Sequence, residues 1–150
     1  MISSRDVVIS VSVEGVVPEI EQRATNIGNY IALTDTLLTE SPIPAVVIGE
    51  KLAEKLGVST TQLVTLITPR WNQEGNFSGP EYQLLKVVGI FRTGMSQYDH
   101  RLVITTLTTA QNLFNVGHSI TGAKVQLDDP LAAPKVSAAI NALVLENIHA

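Results

Sequence analysis

The sequence predicts an α+β domain, a mixed β-sheet with helices covering it and a β-hairpin loop projecting from it. Three observations lead there. Strand-like and helix-like stretches alternate along the chain. The apolar runs on either side of residues 70–82 are joined by a segment rich in Gly, Asn and Pro, which makes them an antiparallel hairpin and the sheet mixed. The stretch from Leu85 to Phe114 reads strand, tight link, strand, capped helix. At 150 residues the chain is expected to form one domain, residues 1–150, with a core that needs no staples.

Taken in order, Val7, Ile9, Val11 and Val13 alternate with more polar neighbours and predict a half-buried first strand. Pro18, Glu19 and Glu21 suit the first turn of a helix that carries Ile20, Ala24 and Ile27 on one side and stops at Gly28. Residues 30–38 are ambiguous, and Ser41-Pro42-Ile43-Pro44 is a rigid connector. Ala45 to Ile48 is a short buried strand; Gly49 to Leu56 follows as a helix with Leu52, Ala53 and Leu56 inward and Gly57 as its cap.

Leu63 to Thr68 is the next strand, and 70–82 (RWNQEGNFSGPEY) an extended hairpin connection. Leu85, Val87, Gly89 and Phe91 share one face of the following strand. The link 92–100, with Gly94 and Asp99, is expected to place that strand beside 102–105. Thr108 and Gln111 have capping-box spacing, with Leu113 and Phe114 giving the helix an apolar side and Gly117 ending it. Ala123, Val125 and Leu127 alternate as a strand, Asp128-Asp129-Pro130 turns, and a last helix from Pro134 is expected to turn Val136, Ile140, Leu143 and Val144 to the core.

Composition narrows the function. Hydrophobic content of 45% with 16% charged residues is globular, and a net charge of −4 without a basic stripe argues against nucleic acid. No apolar run approaches the roughly 20 residues that span a bilayer, and MISSRDVV lacks the features of a signal peptide, so the chain by itself is expected to be soluble. The absence of cysteine removes disulfides, thiolate catalysis and sulfur-ligated metals, and says nothing about compartment.

Little in the chain supports an enzyme. Tyr98-Asp99-His100 offers a base beside a carboxylate, but residues 117–122 lack the spacing of a G-x-S-x-G elbow and a turn explains the triplet. His100, His118 and His149 show no i, i+4 pairing, and Asp128-Asp129 suits a turn better than a metal site. Neither a P-loop nor G-x-G-x-x-G occurs, so no nucleotide or other cofactor is expected. Asn76-Phe77-Ser78 matches the glycosylation sequon.

The sharpest candidate is the 70–82 loop, which holds the only Trp together with Phe77 and Tyr82, large rings suited to anchoring an interface. Arg70, Trp71, Asn76, Phe77, Pro80 and Tyr82 are its candidate partner-binding residues. The competing reading has Trp71 and Tyr82 packing over the root of the hairpin, the rest being a surface loop.

Val88-Gly89-Ile90-Phe91, Gly94-Met95, Tyr98-Asp99, Ala110-Gln111 with Leu113-Phe114, Thr121-Gly122, Leu127-Asp128-Asp129-Pro130 and Ala133-Pro134 with Val136 fall in a recognisable order. Upstream, Val47-Ile48-Gly49-Glu50, Leu52-Ala53, Leu56-Gly57-Val58 and Val64-Thr65-Leu66 extend it. From about Val13 to Val136 the chain resembles the periplasmic domain of lipoprotein-releasing ABC permeases, the LolC/LolE family, with MacB-like efflux permeases as the close alternative.

The resemblance implies a non-enzymatic extracytoplasmic segment at the periplasmic face of the bacterial inner membrane. One membrane helix would precede it and three would follow. The implied partners are a LolA-like lipoprotein chaperone, a second permease subunit, a cytoplasmic ATPase subunit and the lipoprotein substrate. In LolC-type members the corresponding hairpin is the projection that engages the chaperone. Pro69 and Pro80 match the prolines at its two ends, but the basic residues many members place after the second proline are here Glu81, Tyr82, Gln83 and Leu84. That departure weakens a charge-driven clamp and leaves a LolE-like role open.

Overall fold

In the computed structural model, residues 1–17, 42–71, 74–122 and 125–148 are described, at Trp71 and from 144 onward by backbone alone. Among the described residues seven strands form one mixed sheet: β1 (Ile2–Ser4), β2 (Val7–Ile9), β3 (Ser12–Val16), β4 (Ala45–Gly49), β5 (Leu63–Trp71), β6 (Phe77–Phe91) and β7 (Leu102–Thr106). The helices among the described residues are α1 (Glu50–Leu56), α2 (Ser96–Arg101), α3 (Leu107–Phe114) and α4 (Ala133–Ile148), with a 3-10 turn at Pro130–Ala132. The mixed sheet and its helices are the α+β architecture that the sequence predicts. The helix expected over 18–28 and the ambiguous 30–38 lie outside the described residues.

The strand order is β2-β1-β5-β6-β4-β7-β3. β3 runs parallel to β7 and β4 to β6, while the other neighbours are antiparallel. β2 and β3 therefore lie at opposite ends of the order, although only Ser10 and Val11 separate them in sequence. Three residue steps reach at most about 10 Å, so the sheet must curl until its two outermost strands approach each other at that corner. The single first strand expected over Val7–Val13 is thus two strands belonging to opposite edges, preceded by β1, which the alternation did not predict.

The central strands are apolar because they are buried on both sides. In β4, Val46 and Ile48 join Ile2, Leu52, Leu56, Val64, Leu66, Leu85, Val87, Val103 and Leu113 in the larger core cluster. Ala45 and Val47 face the other way, with Val16, Phe91, Leu102 and Ile104. Thr105 is fully buried on β7, its hydroxyl satisfied by donating to Ala45 O at 2.7 Å. Phe91 does not share the face of Val87 as the alternation suggests. Val46 pairs with Val87 but Val47 with Gly89, so Val88 is a bulge that shifts the side-chain phase.

α1 follows the sequence reading: Leu52, Ala53 and Leu56 are buried, and Gly57 closes the helix in the left-handed conformation at φ 63°. Residues 92–101 are more than a turn. Asp99 on α2 is buried and its carboxylate accepts from Thr93 N–H (2.8 Å), Thr93 Oγ1 (2.8 Å) and Gly94 N–H (3.1 Å), which ties α2 to the end of β6. Gly49 allows this packing, because a Cβ there would overlap the Asp99 carbonyl oxygen and come within 2.7 Å of its Cα. Nor are β6 and β7 neighbours; β4 lies between them, reached by parallel pairing that a local pattern does not reveal.

Three helix expectations are corrected. α3 starts two residues earlier than a Thr108 cap would place it: Thr106 accepts from Thr109 N–H at 3.2 Å, and Gln111 donates to Ser119 O instead of closing a box. Asn115, at φ 51°, ends the helix in place of Gly117. α4 begins at Ala133, and its Val136 is only half-buried while Ile140 and Leu143 are exposed, so this stripe does not enter the core. Val125 to Leu127 form no strand. Among the described residues no helix is long and apolar enough to cross a membrane.

Candidate partner-binding hairpin

The candidate site grows out of the β5–β6 pair. β1 accompanies β5 only as far as Leu66, extended by Ile67 N–H donating to Met1 O at 2.8 Å, and β4 joins β6 only from Lys86 onward. Beyond the Ile67–Tyr82 pair the two strands have only each other as neighbours among the described residues, through Thr68–Glu81, Pro69–Pro80, Arg70–Gly79 and Trp71–Phe77. The connection is accordingly shorter than the sequence suggests. Arg70 and Trp71 belong to β5 and Phe77 to Tyr82 to β6.

The ladder survives two opposed prolines for a geometric reason. Ile67 donates away from β6, so every second residue of β5, Pro69 included, presents its amide position to the outside, and Pro80 faces outward from the partner strand. Neither proline removes an inter-strand hydrogen bond. Both delete a donor from the free edges of the ribbon, which protects it from pairing with another strand. Ser78 is an extra residue opposite the Arg70/Trp71 step, and Gly79 takes the φ of 118° that this bulge needs.

The candidate residues fall out as follows. Phe77 is 62% exposed and Tyr82 66%, while Arg70, Asn76 and Pro80 are also exposed. Trp71 is paired with Phe77 at the last rung, which brings two of the aromatic positions together at the tip. Asn76 Nδ2 lies 3.4 Å from Glu74 Oε2. Tyr82 does not pack over the hairpin's root; it stands opposite Ile67 on the outer face.

That face holds residues the sequence reading missed. Leu63, Thr65, Ile67 and Pro69 share it with Pro80, Tyr82, Leu84 and Lys86, and Leu63 (45%) and Leu84 (53%) are well exposed. The charged Arg70 and Glu81 belong to the opposite side of the ribbon. From the Thr65–Leu84 pair to the prolines the outer face carries no charge, a patch of the kind that marks an interaction surface. Strict period-two counting across both strands was the signal for it.

The Asp99–His100 pair forms no catalytic dyad. The carboxylate is turned to Thr93 and Gly94, and His100 Nδ1 lies 2.7 Å from Ser96 O on its own helix. Among the described residues no group of three His, Cys, Asp or Glu side chains is placed to hold a metal ion.

Residues 2–143 match the model of the MacB-like periplasmic core domain. The chain belongs to that family. As a MacB-like periplasmic core domain it is similar to the lipoprotein-releasing system transmembrane protein LolC of Neisseria meningitidis serogroup B. The two are 29% identical over 133 residues, covering 87% of this chain and 31% of LolC. It is similar also to the lipoprotein-releasing system transmembrane protein LolE of Haemophilus influenzae, 28% identical over 124 residues, 82% of this chain and 29% of LolE. The chain thus spans less than a third of the length of these relatives.

Proposed function

We propose that this chain is the periplasmic domain of an ABC permease that releases lipoproteins from the inner membrane and passes them to a periplasmic chaperone, with the β5–β6 hairpin as the contact. The observation that carries the reading is a two-stranded ribbon that outruns its sheet neighbours and exposes Tyr82 at its base and Phe77 at its last rung. The names of the two relatives supply the cargo and the membrane. In this reading the domain is not an enzyme; a cytoplasmic ATPase subunit supplies the energy, and a second permease subunit completes the assembly.

A ribbon without outward amide donors at Pro69 and Pro80 is poorly suited to adding a strand to a partner's sheet, so recognition uses its face and tip. The reading is tested by titrating the chain with its cognate LolA-like chaperone. Saturable binding that Phe77→Ala or Trp71→Ala removes supports it. No binding at low or moderate salt would favour a LolE-like subunit that receives lipoprotein without recruiting the chaperone, or an efflux permease of the MacB type.

A further inference from the structure

At the foot of the hairpin the surface opens into a groove of about 430 Å³, walled by Pro42, Ile43, Pro44, Leu84 and Leu113, with the polar Gln83, Thr109 and Asn112 among them. Among the described residues, none that lines it is charged. The Gln83 side chain crosses from β6 toward the end of α3, where its Nε2 lies 3.5 Å from Leu113 O; a second acceptor, Glu81 Oε1, is 3.4 Å away. Its Oε1 is buried and receives no hydrogen bond among the described residues. The volume is that of a small-ligand site, and mostly apolar walls around a few polar groups, here Gln83, Thr109 and Asn112, are the usual composition of one.

We propose that this groove binds an acyl chain attached through an amide, the hydrocarbon lying against the prolines and leucines and the amide N–H donating to Gln83 Oε1. Uncharged walls favour hydrocarbon over any ionic group. Pro42 and Pro44 have no N–H, so the wall offers an extended peptide backbone few of the donors it would need to dock as a strand. A buried acceptor is costly to leave unmet, so the groove prefers a ligand that brings a donor to that depth, which an amide does and an ester does not. Leu84 belongs both to the groove and to the uncharged outer face that leads past Tyr82 to the prolines, so the two surfaces adjoin. This inference rests on the reading of the domain as a lipoprotein carrier, and it assigns the lipid a place on the domain itself.

The test is calorimetric titration of the 150-residue chain, below micellar concentration, with three probes: an N-palmitoylated short peptide, its O-palmitoyl ester analogue lacking the N–H, and the unacylated peptide. Saturable binding of the amide probe, weaker binding of the ester and none of the bare peptide is the expected result. Leu84→Glu, at a position already exposed, should lower affinity for both lipid probes tenfold or more. Gln83→Leu should weaken the amide probe about fivefold and leave the ester unchanged. Absence of saturable binding, binding of the bare peptide as tight as the acylated one, or indifference to both substitutions would overturn the inference. The same variants titrated with the chaperone separate the two readings. Lipid binding that persists while the wild-type chain ignores the chaperone would leave the groove standing and remove the hand-off. If Leu84→Glu abolishes chaperone binding without touching the lipid probe, the groove is a protein contact and the inference falls.

Discussion

Replacing Gly49 by alanine probes the joint on which the sheet and α2 depend. The added methyl would overlap the Asp99 carbonyl oxygen and approach its Cα and carbonyl carbon within 2.7 Å. These are backbone atoms, so no flexible side chain can yield; either α2 moves off the end of β4 or the strand shifts. The Asp99 hydrogen bonds to Thr93 and Gly94 resist the first, and pairing of β4 on both sides resists the second. Overpacking of this kind costs about 1–3 kcal/mol. For a chain of this length that lowers Tm by roughly 2–4 °C per kcal/mol, and it moves a urea midpoint by on the order of 1 M. Gly122→Ala is the matched control, since nothing lies within 4 Å of a Cβ there. Equal midpoints for the two variants would refute the close approach of α2 to β4.

Other expectations concern single contacts. Thr106→Ala should destabilise by about 1 kcal/mol in urea unfolding through loss of the α3 cap, while Thr108→Ala should change stability by only a few tenths of a kcal/mol; the reverse order would restore the cap at Thr108. Burial alone would raise the Asp99 pKa, but the hydrogen bonds from Thr93 and Gly94, aided by Arg92, outweigh it and hold the carboxylate below its ordinary value. Its contribution to stability is therefore complete above the ordinary carboxylate pKa and lost as pH falls through the depressed folded value. The stability gap between wild type and Asp99→Asn, measured by urea unfolding, should be widest near neutrality and close in acid; a gap independent of pH would contradict this. Tyr82→Ala should leave Tm within about 1 °C, because the ring is 66% exposed, and a large drop would mean that it packs against the domain after all.

What the sequence made legible was short-range. Ala45 to Ile48 and 102–105 announce themselves as apolar runs, and Gly57 ends a helix where its lack of a Cβ is needed. The misses come from pairings that no local window contains. Thr106 and Thr108 both precede suitable partners by three residues, and only the length of β7 decides between them. Val88 flips the face of Phe91 because β4 skips a rung there. The spacing of Val136, Ile140 and Leu143 shows a stripe on α4 without showing what it faces. The site divides in the same way: two prolines and an aromatic-rich loop marked the hairpin, but the free edges of its outer half exist because β1 and β4 stop short of it, a property of the whole sheet.

The central claim, that the ribbon is a contact for a chaperone, is tested most directly by titrating the chain with its cognate LolA-like protein at low and moderate salt, alongside Phe77→Ala. A ring 62% exposed at the tip contributes little to the fold, so the variant should keep the wild-type Tm. As a true anchor its removal costs about 2 kcal/mol or more, a loss of roughly thirtyfold in affinity. With no charge on the outer face above the Thr65–Leu84 pair, wild-type affinity should change little with salt. Tight binding that survives Phe77→Ala, or that collapses as salt is raised, would place the contact elsewhere on the domain and contradict the account.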